Sequence, residues 1–204
     1  MAEDLGEDWD DDANPMTLHG VRRVYENPWF AVEDHDVTHP GGRRGMYGVV
    51  RMRKIAVGVL PLEPDGAVHL VGQWRFPLAR YSWEMPEGGA EPGEAPEECA
   101  RRELAEETGL SAGRLEKILE MDISNSVTDE RAMLYLATDL TAGAAHPEEV
   151  EVLKHLKAPF AEVMARIADG RIRDSLTVAA MLRAHHMAVT GRLPSALARA
   201  ILGK

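Results

Sequence analysis

The sequence predicts an α/β chain of the α+β kind: an α/β/α sandwich around a mixed sheet, preceded by a small antiparallel N-terminal sheet. Three observations carry this expectation. Ile55 to Leu62 is apolar at nearly every position, the pattern of a strand covered on both faces. Residues 96–109 and much of 160–202 carry helical signals, so helices are available to cover those faces. Residues 17–54 instead hold short apolar runs broken by turn chemistry, as a separate antiparallel sheet would.

The elements follow in order. Val21 to Tyr25, Phe30 to Val37 and Met46 to Met52 read as strands, the last two separated by His39-Pro40-Gly41-Gly42. Ile55–Leu62 and Ala67–Val71 flank Glu63-Pro64-Asp65-Gly66, a turn with proline early and glycine late, so a hairpin is expected there. A helix should begin at Pro96, whose missing N–H is no loss in the first turn, with Glu97 and Glu98 placed where the helix dipole favours anions. Gly109 supplies its left-handed stop. Strands are expected at Leu115–Ile123 and Ala132–Ala137. Helices should follow at Phe160–Ala168, Ser175–Val189 and Ser195–Leu202, with Asp169-Gly170 ending the first of them.

Composition narrows the class. A lone cysteine, Cys99, excludes an internal disulfide framework and fits a small buried residue on the helix. The net charge of −11 is uneven, because residues 1–12 carry seven acids and no base. That tail is expected to be disordered. It has neither the basic start nor the apolar core of a signal peptide, and no later run approaches the length of a membrane span. The expectation is a cytoplasmic protein. Without a basic stripe, nucleic acid is excluded as main partner. The expected divisions are a tail over 1–15, an N-terminal β element over 16–54 and a core domain over 55–204.

One helix face stands out chemically. Glu103, Glu106 and Glu107 stand at i, i+3 and i+4, so three carboxylates share a face and repel one another by roughly 0.2–0.5 kcal/mol per pair. A solvated acidic face is the ordinary explanation. A hard divalent cation, which takes carboxylate and phosphate oxygens, is the chemical one.

The surrounding spacing decides between them. Gly88, Glu94, Arg102-Glu103-Leu104, Glu106-Glu107 and Gly109-Leu110 match every fixed position of the Nudix box. The chain therefore resembles the Nudix hydrolases, which cleave nucleoside diphosphates linked to another moiety. The resemblance implies a Nudix sandwich over 55–204 and a Mg²⁺ site, with Mn²⁺ as a substitute. Glu103, Glu106 and Glu107 would be its ligands, with the Glu87 backbone carbonyl as a further one. Arg102 and Glu94 would form the ion pair that fixes loop against helix.

Flanking segments are similar to one branch of the family, the ADP-ribose and nucleotide-sugar pyrophosphatases. Tyr25 to Phe30 and Tyr47 to Val50 resemble its N-terminal region, which implies a homodimer. In Gln73-Trp74-Arg75-Phe76-Pro77 and Trp83-Glu84-Met85-Pro86, the similarity implies that Arg75 contacts a phosphate and that Glu84 lies near the substrate. An arginine fork suits a diphosphate. Trp74, with Phe76 and Trp83, could stack on a base or ribose or could serve packing. The branch also implies a loop glutamate as general base, for which Glu148, Glu149 and Glu151 are all eligible; Glu103 is the alternative. Thr128-Asp129-Glu130 matches the branch, but its loop has no proline, which departs from the ADP-ribose pattern and leaves the wider nucleotide-sugar class. Residues 170–182 resemble the C-terminal helix of the branch.

The expected function is metal-dependent hydrolysis of a small nucleoside diphosphate sugar, ADP-ribose or an NDP-sugar such as GDP-mannose, to a nucleoside monophosphate and a sugar phosphate. Hydrolysis of dinucleoside polyphosphates or nucleoside triphosphates is one alternative. A non-catalytic nucleotide-binding scaffold is another.

Overall fold

A computed structural model describes residues 13–143 and 153–203. The acidic run 1–12 and the glutamates Glu148, Glu149 and Glu151 lie outside the described residues. By packing, the described residues divide into two units, one of residues 13–53 with 126–129 and one of residues 54–125 with 130–143 and 153–203.

The first unit is an antiparallel sheet of β1 (Thr17–Glu26), β2 (Phe30–Thr38) and β3 (Arg44–Met52), in that order. Asn27 turns the first corner: its Oδ1 accepts from the backbone N–H groups of Trp29 and Phe30, both at 2.8 Å. At the second corner Gly42 N–H donates to His39 O at 2.8 Å, and Gly42 has φ 80°, which glycine adopts without steric cost. Residues 126–129 join this unit beside β3, where Val50 N–H donates to Val127 O at 2.8 Å and Met52 N–H to Asp129 Oδ1 at 2.9 Å.

The second unit holds two sheets. The mixed sheet has the order β7-β4-β9-β8, built from β7 (Glu87–Gly89), β4 (Ala56–Pro61), β9 (Arg131–Ala142) and β8 (Leu110–Asp122). Within it β4 and β9 run parallel, from Ala56 beside Ala132 to Pro61 beside Ala137. The other sheet is antiparallel, ordered β10 (Lys154–Pro159), β5 (Ala67–Arg75) and β6 (Arg80–Glu84).

The alternation of β4 and β9 builds two cores. Val57, Val59, Tyr135 and Ala137 pack with Cys99, Ala100 and Leu104 of α1 (Pro96–Thr108). From the opposite face Leu60, Leu134 and Leu136 pack with Ala180, Met181 and Ala184 of α3 (Ser175–Val189). α2 (Phe160–Ala168) and α4 (Ser195–Leu202) extend that second core through Phe160, Val163 and Ile201. The continuous apolar run at 55–62 is therefore the central strand of a sandwich covered on both sides, as its composition predicts.

The expected hairpin at 63–66 is corrected. The turn forms, with Gly66 N–H donating to Glu63 O at 3.0 Å, but β4 and β5 meet only at one bridge, Leu62 to Val68. Beyond it β4 enters the mixed sheet between β7 and β9, while β5 enters the other sheet between β10 and β6. Both strands are buried on both faces, so each gains more by filling the centre of its own sheet than by pairing with its sequence neighbour.

Helix α1 follows its local signals. Pro96 occupies its first turn, Glu98 Oε2 accepts from Ala95 N–H at 3.2 Å, and Gly109 closes it at φ 69° with its N–H on Ala105 O at 2.9 Å. Burial of Leu104 against β4 and β9 contributes roughly 2 kcal/mol to seating the helix. The opposite side of the helix is left to carry charge.

Candidate active site

The anchored face of α1 determines where the acids stand. Cys99, Ala100 and Leu104 are fully buried, so Glu103, Glu106 and Glu107 turn toward β7 and the loop that follows it. Glu107 is itself buried, and its Oε2 accepts the backbone N–H of Glu87 at 3.1 Å, tying helix to strand. Glu103 lies directly over Gly88: a Cβ there would fall 2.0 Å from Glu103 Oε1. No larger residue fits at position 88 with this glutamate in place.

Arg102 binds this constellation together. Its Nε and Nη2 donate to Glu94 at 2.8 and 3.0 Å, while Nη1 donates to Glu103 at 2.7 Å and to Glu106 at 3.0 Å. Glu94 Oε2 also accepts Glu91 N–H at 2.8 Å, so one carboxylate joins the loop to the helix. The Arg102 hydrogen bond holds Glu94 down at about 2, well below the usual carboxylate range. Burial pushes the Cys99 thiol up to about 12, which leaves it without thiolate character.

A second acidic group adjoins the first. Arg75 donates to both oxygens of Glu84, with a shortest contact of 2.6 Å, and to Glu87 Oε1 at 3.0 Å. Burial, the largest single influence, would lower the guanidinium; the bond to Glu84 together with the charges of Glu84, Glu87 and Asp174 outweighs it, and the net shift is upward. Glu84 has only 2% of its surface exposed. Asp174 completes the group by capping α3, accepting from the N–H and hydroxyl of Thr177, both at 2.7 Å. Thr177 Oγ1 in turn accepts Met85 N–H at 2.9 Å, which fixes the chain between Glu84 and Pro86.

Glu84, Glu87 and Asp174 each bring a carboxylate oxygen within 4.8 Å of the others. Glu87 is the crowded member. Its Oε2 is buried without a hydrogen-bond partner among the described residues, and burial, followed by the charges of Asp174 and Glu84, raises its pKa well above the ordinary value. Among the described residues this trio is the set of acids close enough to share one cation, whereas Glu103, Glu106 and Glu107 are not so gathered. With Arg102 between Glu103 and Glu106, like charges are neutralised by the guanidinium.

Hard oxygen donors, an unpartnered buried carboxylate oxygen and a Cβ-free floor under Glu103 make a donor set that fits a divalent cation. The structure thus brings Glu84, Glu87, Glu103, Glu106, Glu107, Arg102 and Arg75 into neighbouring networks. Trp74 is separate from them in character: it is 61% exposed and opposite Tyr81 in the β5–β6 register. Trp83 is partly buried against the core, edge-on to Tyr81. Asp174 was not foreseen. Its sequence signal, an acid three residues before Thr177, marks a helix cap and carries no sign of the two glutamates it approaches.

Comparison with known proteins follows this geometry. The NUDIX domain family model matches residues 52–179, and a nucleoside diphosphate sugar hydrolase N-terminal domain model matches residues 16–50. The chain is 32% identical over 164 residues to an ADP-ribose pyrophosphatase of Mycobacterium tuberculosis, covering 76% of each. It is 35% identical over 177 residues to a GDP-mannose pyrophosphatase of Pectobacterium atrosepticum, covering 77% of this chain and 88% of that protein. The crystal structure of an ADP compounds hydrolase superposes with a TM-score of 0.79 at 24% identity, over 90% of this chain and 100% of that one, a likeness of fold.

Proposed function

From the premise that this chain belongs to the Nudix family and is a hydrolase of pyrophosphate bonds, we propose that its substrate is a nucleoside diphosphate linked to a sugar. ADP-ribose and an NDP-sugar such as GDP-mannose lead, with a nucleoside monophosphate and a sugar phosphate as products. The names of the relatives support this range. The observation that carries it is the Arg75 fork on Glu84 and Glu87, beside the carboxylates of α1.

In this reading Glu103, Glu106 and Glu107, with the Glu87 carbonyl, hold Mg²⁺ or Mn²⁺. The cation supplies charge neutralisation and water activation when bound. Arg102 keeps Glu103 and Glu106 on the loop side of the helix and yields one of its contacts when the carboxylates turn to a cation. Arg75, held by two carboxylates, presents its remaining donors to a phosphate oxygen. Glu84 sets the orientation of that fork. One of Glu148, Glu149 and Glu151 takes the proton of the attacking water, or Glu103 does so. Trp74 offers an exposed ring for a base or ribose.

The exposed apolar residues of the first unit, Leu18, Val21, Val24, Tyr25 and Met46, support pairing with a second copy. No described helix is long and apolar enough to cross a membrane, and the reading places the enzyme in the cytoplasm. Incubation with ADP-ribose, GDP-mannose and other NDP-sugars in Mg²⁺ or Mn²⁺ tests the substrate class. Cleavage of one or more, abolished by EDTA, is expected; a panel left intact would end the proposal.

A further inference from the structure

The outer edge of β6 and the loop before α3 line an open cavity of about 160 Å³, formed by Arg80, Tyr81, Ser82, Gly170, Arg171 and Arg173. Local chemistry explains why arginines collect there. Asp169 and Gly170 end α2, with Gly170 at φ 75°, and Ile172 is then buried at 2% exposure. Anchoring Ile172 leaves Arg171 and Arg173, its neighbours on either side, exposed at the cavity. From the facing side β6 contributes Arg80 and Ser82; among the described residues it is an edge strand that pairs with β5 alone.

Among the described residues the charges in this cavity are not balanced. Arg171 pairs with Asp169. Arg173 donates from Nε to Gly170 O at 2.5 Å but meets no carboxylate among the described residues. Arg80, half-buried, makes no ion pair or side-chain hydrogen bond among them, and neither does the Ser82 hydroxyl. Lys154 adds a further cation nearby, 5.5 Å over the Tyr81 ring. In a chain with 34 acids and 23 bases, two guanidiniums at one small cavity with no carboxylate partner among the described residues are an unusual concentration.

We propose that this cavity binds a phosphate monoester dianion, at a site distinct from the one that handles the diphosphate. Two guanidiniums without carboxylate partners among the described residues match two negative charges, and their planar forks suit phosphate oxygens. The Ser82 hydroxyl supplies a neutral donor. The volume suits a small anion or the terminal group of a larger ligand, since sites that bury drug-sized ligands run to about 300–1,000 Å³. Arg80 and Glu84 are four residues apart on β6, about 14 Å along the strand. A substrate with its diphosphate at the Glu84 end and a further phosphate on its far end therefore reaches both; so does a free phosphate acting alone. The first source rests on the hydrolase reading above, and the cavity's affinity for phosphate does not.

The test is titration of the full chain with inorganic phosphate in EDTA, followed by calorimetry. Saturable binding is expected. Arg80→Gln and Arg173→Gln should each weaken it about tenfold or more with thermal midpoint unchanged, and Arg80→Lys should recover part of the loss. Absence of saturable binding to the wild type at millimolar phosphate, or equal binding by the double variant, would overturn the proposal. In turnover assays with an NDP-sugar that carries a further phosphate at its far end, inorganic phosphate that raises KM alone assigns the cavity to the substrate, and inorganic phosphate that changes kcat assigns it to a free effector. Either effect must vanish in the double variant for the proposal to stand. Phosphate binding by a protein inert toward NDP-sugars would refute the substrate class and leave this site intact.

Discussion

Glu103 Oε1 occupies the space that a side chain at residue 88 would need: a methyl group on Gly88 would stand 2.0 Å away. That distance is far inside van der Waals contact, and β7 is pinned to β4 through Gly88 opposite Val57, so the backbone cannot simply retreat. The glutamate must move instead.

Gly88→Ala is therefore expected to lower kcat by about 100-fold, the effect of displacing a reacting group by roughly 1 Å, while the fold persists. Steady-state kinetics beside circular dichroism checks this. Wild-type kcat in a folded variant would show that the position of Glu103 is immaterial.

The pair of Glu94 with Arg102 gives a pH signature. A carboxylate lowered to about 2 in the folded protein stabilises it above the unfolded value of about 4.3, and this contribution is lost as pH falls from there toward the folded value. Glu94→Gln should cost about 1 kcal/mol at pH 7, discounted because water screens part of the pair. In urea unfolding, the gap between wild type and variant should narrow at pH 3. A gap of the same size at both pH values would contradict the assigned cause.

Thr177 ties α3 to the segment between Glu84 and Glu87 through a single hydroxyl, which accepts from Met85 N–H and donates to Asp174. Thr177→Val keeps the volume and leaves the buried Met85 N–H without that acceptor. A loss of about 2 kcal/mol is expected from the denaturant midpoint. An unchanged midpoint would mean that another acceptor replaces the hydroxyl.

These cases show what the sequence makes legible. Helix α1 was readable because its signals are local: Pro96 at the start, Gly109 at the stop and an apolar stripe of Cys99, Ala100 and Leu104. Its acids were readable by spacing alone. The separation of β4 from β5 was not, since Pro64 and Gly66 specify a chain reversal and say nothing of the sheets each strand will fill. Asp174 shows the same limit. Capping chemistry places it at the head of α3, but only the packing of α3 against Met85 brings it to Glu84 and Glu87. Arg80 and Arg173 likewise lie 93 positions apart in the chain and meet only across the β6 edge.

The central claim is hydrolysis of a sugar-linked diphosphate at the carboxylates of α1, and the most direct measurement is turnover of ADP-ribose and GDP-mannose in ¹⁸O water with Mg²⁺, with products weighed by mass spectrometry. The account predicts a nucleoside monophosphate and a sugar phosphate with one ¹⁸O on one of the two. It also predicts a rate at least about 100-fold lower for Glu106→Gln, as expected when a group that positions charge in the reaction is removed. Intact substrates, or cleavage that Glu106→Gln leaves at the wild-type rate, would contradict it.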